Sequence, residues 1–399
     1  MPLEVPSSAG LGENLSLDGV KVALSNPHFL TDLKFHGYVR DLVSSGLVKY
    51  IYFAPPKVRG VATFVKQALA NRDGLLRELN KSGVEFLFSV EELNRKADVL
   101  LDFSLMTRRL DHSVPETLRK FSGLKIFHIG DYFWYHRATE KSLALSRAGV
   151  DYLFGYARHD EHCEYFRHAF PQYRRKVWGI PFGFSERFKM NTPLAQRAGK
   201  VVAVGSVVHL RPLDQEFANY IEPANYYPDA SWMHPFRREL VLNRDRLCDV
   251  MVSALPIFPE QRDSKTNLVS AFNSHLGYVT CESIYNFPSA KTFEGMACGS
   301  VLFCADSPCN HELGLVHGEN CVMFRERDIR SFEASARVYL QERKELDAIA
   351  MAGRRYVNSR FSHRAIAQLI GSIVQLAHST GPSLDALSLQ DLPGSRGFL

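Results

Sequence analysis

Short apolar runs with the composition of β-strands alternate with helical patterns along most of this chain. In the first half, such runs recur from Val20–Ser25 to Tyr152–Tyr156, and the stretch Val61–Ser82 between two of them has a helical pattern. After a break at 185–197, the alternation restarts with Lys200–Val204. Strands that alternate with helices predict parallel sheets with helices on both faces. The sequence therefore predicts an α/β protein with two doubly wound, Rossmann-like domains that face each other across a cleft.

The order of these patterns also sets the predicted domain boundaries. The predicted strands are Val20–Ser25, Val48–Phe53, Val84–Ser89, Ala97–Phe103, Leu124–Ile129, Tyr152–Tyr156, Lys200–Val204, Tyr226–Pro228, Val250–Ala254, Val301–Cys304 and Cys321–Phe324. Among the helical patterns are Gln215–Ile221, Ala290–Ala297, Ile329–Ser359 and His363–His378. We expect a loose tail over 1–19, an N-terminal acceptor domain over 20–188 and a C-terminal donor domain over 189–365. A helix that crosses back, followed by a loose tail, is expected over 366–399.

The composition is that of a soluble globular protein. Hydrophobic residues make up 45% and charged residues 23% of the 399 residues, which excludes disordered, collagen-like and coiled-coil chains. Lys and Arg number 48 against 43 Asp and Glu, and this excess of +5 is too diffuse to indicate nucleic-acid binding. No apolar run reaches the roughly 20 residues of a bilayer span, and Met1–Leu17 does not have the pattern of a signal peptide. We expect a cytoplasmic protein, and the basic balance leaves peripheral contact with the inner face of a membrane open.

The most informative segment is Lys291-Thr-Phe-Glu-Gly-Met-Ala-Cys-Gly-Ser300. A helix that opens after Ser289 would present free backbone N–H groups and a positive dipole end to a phosphate. Lys291 and Glu294 are three residues apart and share a face of that helix. A carboxylate near a helix start can bind both hydroxyl groups of a ribose. From spacing alone, an exposed Lys–Glu pair on an ordinary helix is the competing explanation.

This segment resembles the signature of the C-terminal domain of GT-B-fold glycosyltransferases, in particular the group 1, family-4-like enzymes and their spore-maturation-type relatives. Those carry a Lys- or Arg-x-Phe-Glu-x-x-Ala-x-Gly pattern, then a strand, then Glu-Leu and Gly-x-Asn. Here the strand and the two later segments are Val301–Cys304, Glu312-Leu313 and Gly318-Glu319-Asn320. The resemblance implies that Glu294 binds the nucleotide ribose, and that Lys291 and Ser289 lie near the diphosphate or the donor sugar. The glutamate that family-4 enzymes carry eight residues earlier is Asn286 here, which the spore-maturation-type pattern tolerates.

Two further segments extend the resemblance towards the middle of the chain. Val177–Phe188 looks like the crossing between the domains. Lys200-Val-Val-Ala-Val-Gly-Ser206 looks like the first strand and turn of the donor domain, so the resemblance implies that Gly205 and Ser206 approach the nucleotide. Arg211 follows and can pair with phosphate through two N–H groups. A plain surface position is the alternative for Arg211.

Candidate catalytic residues lie in the N-terminal half. The run Leu124-Lys-Ile-Phe-His-Ile-Gly-Asp131 places His128 at the end of a strand and Asp131 in the following loop, which by resemblance faces the donor sugar. A histidine there can bind hydroxyl groups or relay a proton, and an aspartate can orient the acceptor hydroxyl or act as base. A histidine satisfied by its own loop is the alternative. Glu161, after the next strand, is a second candidate base.

A different family is weakly similar over Tyr227-Pro-Asp-Ala-Ser-Trp-Met-His-Pro-Phe-Arg237. His-Pro followed by Arg resembles the His-Pro motif of sialyl- and Kdo-transferases, which use CMP-activated acid sugars. In that interpretation, His234 and Arg237 hold the CMP phosphate, and Asp229 is a catalytic candidate. The segment therefore keeps a CMP-sugar donor open.

Other chemistries have little support in the sequence. No Asp-x-Asp pair, no Cys-x-x-Cys pair and no cluster with metal-ligand spacing occurs, and the phosphate-binding glycine fingerprints of nucleoside triphosphatases and dinucleotide enzymes are missing. We therefore expect neither a metal nor a cofactor, and the nucleotide-sugar donor is itself a substrate.

These observations predict a metal-independent glycosyltransferase that moves a sugar from a nucleotide-sugar donor to a glycan or lipid-linked glycan, of the kind that builds cell-surface polysaccharide or lipopolysaccharide. Three alternatives stay open: a CMP-Kdo or CMP-sialic-acid-type transferase of the same fold, a nucleotide-sugar epimerase, and a non-catalytic sugar-binding protein. The sequence does not identify the donor base, the sugar, the acceptor, the stereochemical outcome or the oligomeric state.

Overall fold

The structure, a computed structural model, describes residues 19–25, 37–52, 83–103, 116–130, 138–209, 232–255 and 267–387. The predicted helices Val61–Ser82 and Gln215–Ile221 and the predicted strand Tyr226–Pro228 lie outside these residues. Within them, two separate parallel sheets form the core, one from each half of the chain.

The first sheet has seven parallel strands in the order β3-β2-β1-β4-β5-β6-β7. They are β1 Val22–Ser25, β2 Val48–Tyr52, β3 Glu85–Leu87, β4 Val99–Asp102, β5 Leu124–His128, β6 Tyr152–Gly155 and β7 Val177–Gly179. All residues of β1, β4 and β6 are buried, as expected for inner strands of a parallel sheet covered on both faces. The apolar run that the sequence places in the interdomain crossing begins as β7, at the edge of this sheet.

Short helices connect these strands. Those described are α1 Tyr38–Ser44, α2 Val90–Lys96, α3 Glu116–Lys120, α4 Ala138–Arg147, α5 His159–His162 and α6 Glu164–Ala169. α2 begins after Ser89, because the Ser89 hydroxyl accepts a hydrogen bond from Glu92 N at 3.1 Å and so satisfies an otherwise unpaired N–H group.

The second sheet has five parallel strands in the order β12-β11-β10-β8-β9. They are β8 Ala198–Ala203, β9 Met251–Ser253, β10 His275–Val279, β11 Val301–Asp306 and β12 Val322–Arg325. The sequence pattern did not predict β10. Its centre is Gly277, which weakens a strand pattern, but a Cβ at that position would lie 2.7 Å from the Phe303 ring of the next strand.

Seven described helices accompany the second sheet. They are α7 Pro235–Leu242, α8 Leu268–Ser274, α9 Lys291–Ala297, α10 Pro308–Glu312, α11 Ile329–Gln341, α12 Arg343–Arg360 and α13 His363–Thr380. The predicted helical stretch Ile329–Ser359 is helical in the structure, but it is divided at Glu342 into α11 and α12. Asp328 begins α11, since its Oδ1 accepts from Ser331 N at 3.0 Å.

The last helix returns to the first sheet. At Phe184, in the crossing after β7, the backbone pairs with both sides of Ser362: Phe184 N donates to Phe361 O at 3.0 Å, and His363 N donates to Phe184 O at 3.2 Å. α13 then packs on α1, where Gly371 leaves room for the Leu47 side chain. The two halves are therefore joined by two stretches of chain.

Both strand orders reverse direction once, and this reversal locates the functional edges. In the first sheet the reversal lies between β1 and β4, and in the second between β8 and β10. Ligands of open α/β sheets bind outside the carboxyl ends of the strands at such a point. The prediction of an α/β fold with two doubly wound, Rossmann-like sheets is confirmed. Among the helices that the structure describes, none has the length and apolar character needed to cross a bilayer.

Candidate functional site

Residues that the sequence assigned to the donor meet at the carboxyl edge of the second sheet, at the reversal between β8 and β10. Arg237, on the first turn of α7, is only 1% exposed. Its guanidinium donates to Ser206 O at 3.1 Å, Thr280 Oγ1 at 3.0 Å and Cys281 O at 3.3 Å. One buried side chain thus ties the turn after β8 to the end of β10.

Gly205 gives this guanidinium its space. The φ angle of Gly205 is +123°, in a region that residues with a side chain rarely adopt. A Cβ at Gly205 would lie 2.5 Å from Arg237 Cζ. The turn expected to approach the nucleotide therefore requires glycine for both its backbone conformation and its contact with Arg237.

Basic groups converge on the same edge. His234 precedes α7, and its Nδ1 lies 3.2 Å from Glu282 O. Burial first, and then the charges of Arg237 and Lys291, hold the pKa of His234 well below its usual range. His234 is therefore neutral at pH 7, and Arg237 and Lys291 supply the positive charge. An anionic group such as a diphosphate would meet a favourable potential here.

Ser289 joins the Arg237 network from the segment that precedes α9. Its Oγ lies 3.3 Å from Thr280 Oγ1, the same atom that accepts from Arg237. Lys291 and Glu294 follow on the first turn of α9, and both are partly exposed. The Lys–Glu segment and the His-Pro segment therefore lie at the same edge of the second sheet. In sequence, they resembled the motifs of two different transferase families.

Close packing fixes the position of α9. Gly295 lies against the Tyr278 ring of β10, since a Cβ there would be 2.4 Å from a ring carbon. The Tyr278 hydroxyl donates to Thr292 O at 2.6 Å. α9 is therefore held flat on the sheet, and its first turn has a defined place above the strand ends.

A small open cavity lies beside this network. Its lining comprises Pro235, Phe236, Cys281, Glu282, Ser283, Ile284, Asn286, Ala305, Phe324, Glu326 and Arg327. Glu282 Oε1 accepts from Ser307 Oγ at 2.7 Å and also from Asn310 Nδ2, and burial raises the pKa of the Glu282 carboxyl. The cavity combines apolar walls with a few fixed polar groups, as small-molecule sites do.

The two halves touch where the carboxyl edges of their sheets meet. His162, on α5, has Nε2 in contact with the carboxylate of Glu312, on α10. Asn286, in the loop after β10, donates from Nδ2 to His162 O at 3.0 Å. Phe287 meets the His159 ring edge-on, with 5.3 Å between centroids. Contacts from both halves therefore bridge the two edges at this end.

His128 ends β5 on the opposite edge and is fully buried. Its Nδ1 accepts a hydrogen bond from Gly130 N at 2.9 Å. The ring stacks on Phe103 at 5.3 Å and meets Tyr156 edge-on at 5.2 Å. Burial lowers the pKa of His128 to about 3. The imidazole is therefore neutral near pH 7, and its catalytic assignment remains a prediction.

We expect His128 to reduce stability as the pH falls below about 6.5. A histidine in the unfolded chain takes up a proton near pH 6.5, whereas folded His128 does so near pH 3. Between these values the unfolded chain binds more protons, so the unfolding free energy falls by about 1.4 kcal/mol per unit of pH decrease. Denaturant unfolding between about pH 8 and pH 5 measures this slope.

The control is His128→Asn, which keeps an acceptor near the position of Nδ1 and does not titrate. In this variant, the slope of the unfolding free energy against pH should be smaller by about 1.4 kcal/mol per pH unit. His159 and His234, whose pKa values are also lowered, account for part of the slope that remains. An identical slope in the variant and the natural protein would contradict the assignment.

Of the remaining candidate residues, some lie on α5 and others lie outside the described residues. Glu161 lies on α5, and its half-exposed carboxylate pairs with Arg158 Nη2 at 3.0 Å. Its neighbour Asp160 is buried, and Asp160 Oδ2 accepts from Arg175 N at 2.7 Å. Three candidates lie outside the described residues, namely Asp131, Asp229 and Arg211. No group of three or more His, Cys, Asp or Glu suited to a metal ion occurs in the part of the chain that the structure describes.

Sequence reasoning missed Thr280 and Glu282, because it missed the strand that they follow. The available signal was the run Leu276-Gly-Tyr-Val279 with Thr-Cys-Glu-Ser directly after it. Polar residues just beyond an apolar strand of a parallel sheet belong to its ligand-binding edge. Gly277 obscured that strand.

Comparison with known proteins agrees with this architecture. Residues 259–371 match the model of a family described as glycosyl transferase-like. Of the solved structures, a glycosyltransferase from Rickettsia africae is similar with a TM-score of 0.52 at 9% identity, over 91% of this chain and 100% of that one. The Anabaena protein Alr3699/HepE, in complex with UDP and glucose, is similar with a TM-score of 0.50 at 11% identity, over 89% and 99% of the chains. No curated protein sequence matches the chain.

The two Rossmann-like sheets give the chain the GT-B architecture of the glycosyltransferases to which it is similar. The match to a glycosyl transferase-like family over residues 259–371 agrees with that fold.

Proposed function

We propose that the protein transfers a sugar from a nucleoside diphosphate sugar, with UDP as the first candidate nucleotide, to a hydroxyl group of a glycan or lipid-linked glycan. One observation carries the proposal: a single hydrogen-bonded network at the reversal of the second sheet joins the turn after β8, α7 and the start of α9. Its members are Ser206, Arg237, Thr280, Cys281 and Ser289. The Anabaena HepE structure, of the same fold, contains UDP and glucose.

In this proposal each donor group has a separate partner. Lys291 offsets charge on the diphosphate, and Glu294, three residues later on α9, binds the two ribose hydroxyl groups. The cavity beside them supplies Glu282 and Asn286 for the hydroxyl groups of the donor sugar. Negative charge grows on the leaving phosphate during transfer, and fixed basic groups stabilise that charge best when they are already in place. We propose that these side chains act without a metal ion or cofactor.

A CMP-sugar transferase of the same fold is the second candidate, because His234 and Arg237 do lie at the donor edge. The Arg237 guanidinium, however, already donates to three protein acceptors and is 1% exposed. A phosphate could bind it only by displacing those bonds. This arrangement favours the diphosphate donor. An epimerase or a non-catalytic binding protein would use the same donor edge. The epimerase would release an altered nucleotide sugar, and the binding protein would form no product.

The acceptor side of the proposal rests on the first half. An acceptor of the cell-surface polysaccharide or lipopolysaccharide type would be reached from the cytoplasm, at the inner face of the membrane. The net charge of +5 is compatible with weak attraction to an anionic lipid surface.

A thermal-shift screen with UDP-, GDP-, ADP- and CMP-sugars tests the donor. We expect UDP-glucose or a related UDP-sugar to stabilise the protein by about 2.7 kcal/mol at 100 times its Kd. UMP is the matched control, because it lacks the second phosphate and should stabilise much less. Stabilisation by a CMP-sugar alone, or by none of the four, would contradict the proposal. Product analysis then separates transfer from epimerisation and from binding without reaction.

A further inference from the structure

We propose that a latch holds the carboxyl edges of the two sheets together through the chain's own side chains. The latch consists of the loop Ser283–Phe287 and the Glu312 carboxylate of the second half, with their contacts on the first half. His162, the partner of Glu312, is a positioning residue in this proposal. The consequence of the latch for sugar transfer rests on the proposed function, whereas the latch itself does not.

The loop Ser283–Phe287 is a tight turn between β10 and α9. Asn286 N donates to Ser283 O at 3.0 Å, and the φ angle of Asn286 is +54°, which asparagine adopts more readily than most residues with a side chain. Ile284 N donates to Met233 O at 3.0 Å, which anchors the turn on the second half. The loop therefore presents its side chains to the first half from a defined position.

Two aromatic residues of this loop are buried against the first half. The Tyr285 ring lies 5.9 Å from the Tyr165 ring of α6, measured between centroids. Phe287 meets the His159 ring edge-on at 5.3 Å and lies 5.8 Å from the Tyr156 ring. Attractive aromatic pairs have centroid distances of roughly 4.5–7 Å. The loop is thus packed into the first half rather than only facing it.

Polar groups extend the same contact. The Glu312 carboxylate contacts His162 Nε2, and the two side chains are 14% and 13% exposed. Glu312 Oε1 is buried and has no hydrogen-bond partner among the described residues, so this carboxylate depends on His162. Asn286 Nδ2 donates to His162 O at 3.0 Å, and Asn286 Oδ1 accepts from Arg327 Nη2 at 3.3 Å. Loss of the His162 ring would leave a desolvated carboxylate at the contact unless the halves separate.

This contact can open without unfolding either half. The chain crosses between the halves at Phe184 and Ser362, and domains connected in this way can rotate relative to each other. The latch joins them through one loop and a few polar side chains, and interfaces of that kind open more readily than a large apolar one. The latch therefore favours a closed arrangement and leaves an open one accessible.

The closed arrangement is the one that can react. Transfer needs the acceptor hydroxyl group beside the donor sugar, and the latch brings the two carboxyl edges together. The proposed nucleotide partners Lys291 and Glu294 both lie on the second half, so opening should leave UDP binding intact. Breaking the latch should thus lower transfer and leave UDP affinity unchanged, whereas loss of folded protein would lower both.

Double electron–electron resonance between two spin labels measures the arrangement directly. Cys248 is exposed on the second half and takes one label, because the other six cysteines are buried. Ser146→Cys, at an exposed position on α4, takes the second label. We expect one distance population in the labelled protein and a second one in His162→Ala. Loss of a hydrogen bond to a charged group lowers the ratio of closed to open molecules by about 10- to 100-fold.

Turnover of UDP-glucose, followed as UDP release, gives the second readout. The kcat/KM value should fall in His162→Ala together with the closed population, while the Kd of UDP stays within about twofold of the natural value. His162→Gln keeps an N–H donor for Glu312 and should recover much of both losses. Glu164→Ala is the matched control, since Glu164 is an exposed residue of α6 and should leave both readouts unchanged.

The outcomes separate the latch from the proposed function. One unchanged distance population in both His162→Ala and Glu312→Ala would overturn the latch. Natural turnover by a variant that has opened would overturn its positioning role. If UDP does not bind the natural protein while the second distance in His162→Ala persists, the donor proposal fails and the latch remains.

Discussion

Replacement of Glu294 by Ala is expected to lower kcat/KM for sugar transfer by about 100- to 10,000-fold. The proposed contact with the two ribose hydroxyl groups consists of two hydrogen bonds to a charged group, each contributing about 1.5–3 kcal/mol. The fold should persist, because Glu294 is partly exposed on α9 and alanine favours the helix. Transfer kinetics, with circular dichroism to confirm folding, measure the effect.

Two variants sharpen this test. Glu294→Gln keeps one oxygen acceptor without the charge, so its activity should lie between those of Glu294→Ala and the natural protein. Glu345→Gln is the matched control, since Glu345 is an exposed glutamate on α12 and should retain full activity. Donor affinity should fall in parallel with transfer. Unchanged turnover in Glu294→Ala would reject the ribose assignment.

The sequence predicted those parts of the fold that depend on local pattern. Apolar runs such as Val99–Asp102 and Val301–Ala305 are buried on both faces, so their composition marks them as inner strands. The Lys291–Ser300 segment indicated α9 and its glycosyltransferase class, because its residue types are tied to one backbone arrangement. The break at Glu342 was not predicted, since both flanking helices are amphipathic and no proline or glycine separates them.

The site depended on contacts between segments that are distant in the chain. Arg237 was predicted as a phosphate ligand from its neighbours in sequence, but its observed partners are at 206, 280 and 281. Spacing along one helix cannot convey this relation, because the partners of Arg237 follow strands elsewhere in the chain.

Because Arg237 joins segments that are distant in the chain, we expect substitutions in the turn after β8 to affect the donor edge most. In the network described, Arg237 joins Ser206 to Thr280 and Cys281, so movement of this side chain would break the hydrogen bonds to all three. Gly205 is the residue that admits Arg237. A change at Gly205 should therefore disturb both stability and donor binding, although Gly205 itself has no side chain to contact a ligand.

Gly205→Ala is expected to destabilise the protein by about 3 kcal/mol or more and to abolish measurable donor binding. The φ angle of +123° costs a residue with a side chain about 1–3 kcal/mol. The new Cβ would lie 2.5 Å from Arg237 Cζ, so the guanidinium must also move. Each hydrogen bond that it then loses contributes about 1.5–3 kcal/mol. Denaturant unfolding and calorimetry with UDP measure the two effects.

Gly199→Ala provides the matched control on the same strand. Gly199 is exposed on β8, and a Cβ there would meet no atom within 4 Å, so the change in stability should stay within about 0.5 kcal/mol. Arg237→Met then separates the two causes in Gly205→Ala, because it removes the guanidinium without straining the backbone. If the network positions the nucleotide, Arg237→Met must also weaken UDP binding. Full donor affinity in both Gly205→Ala and Arg237→Met would show that the nucleotide binds elsewhere.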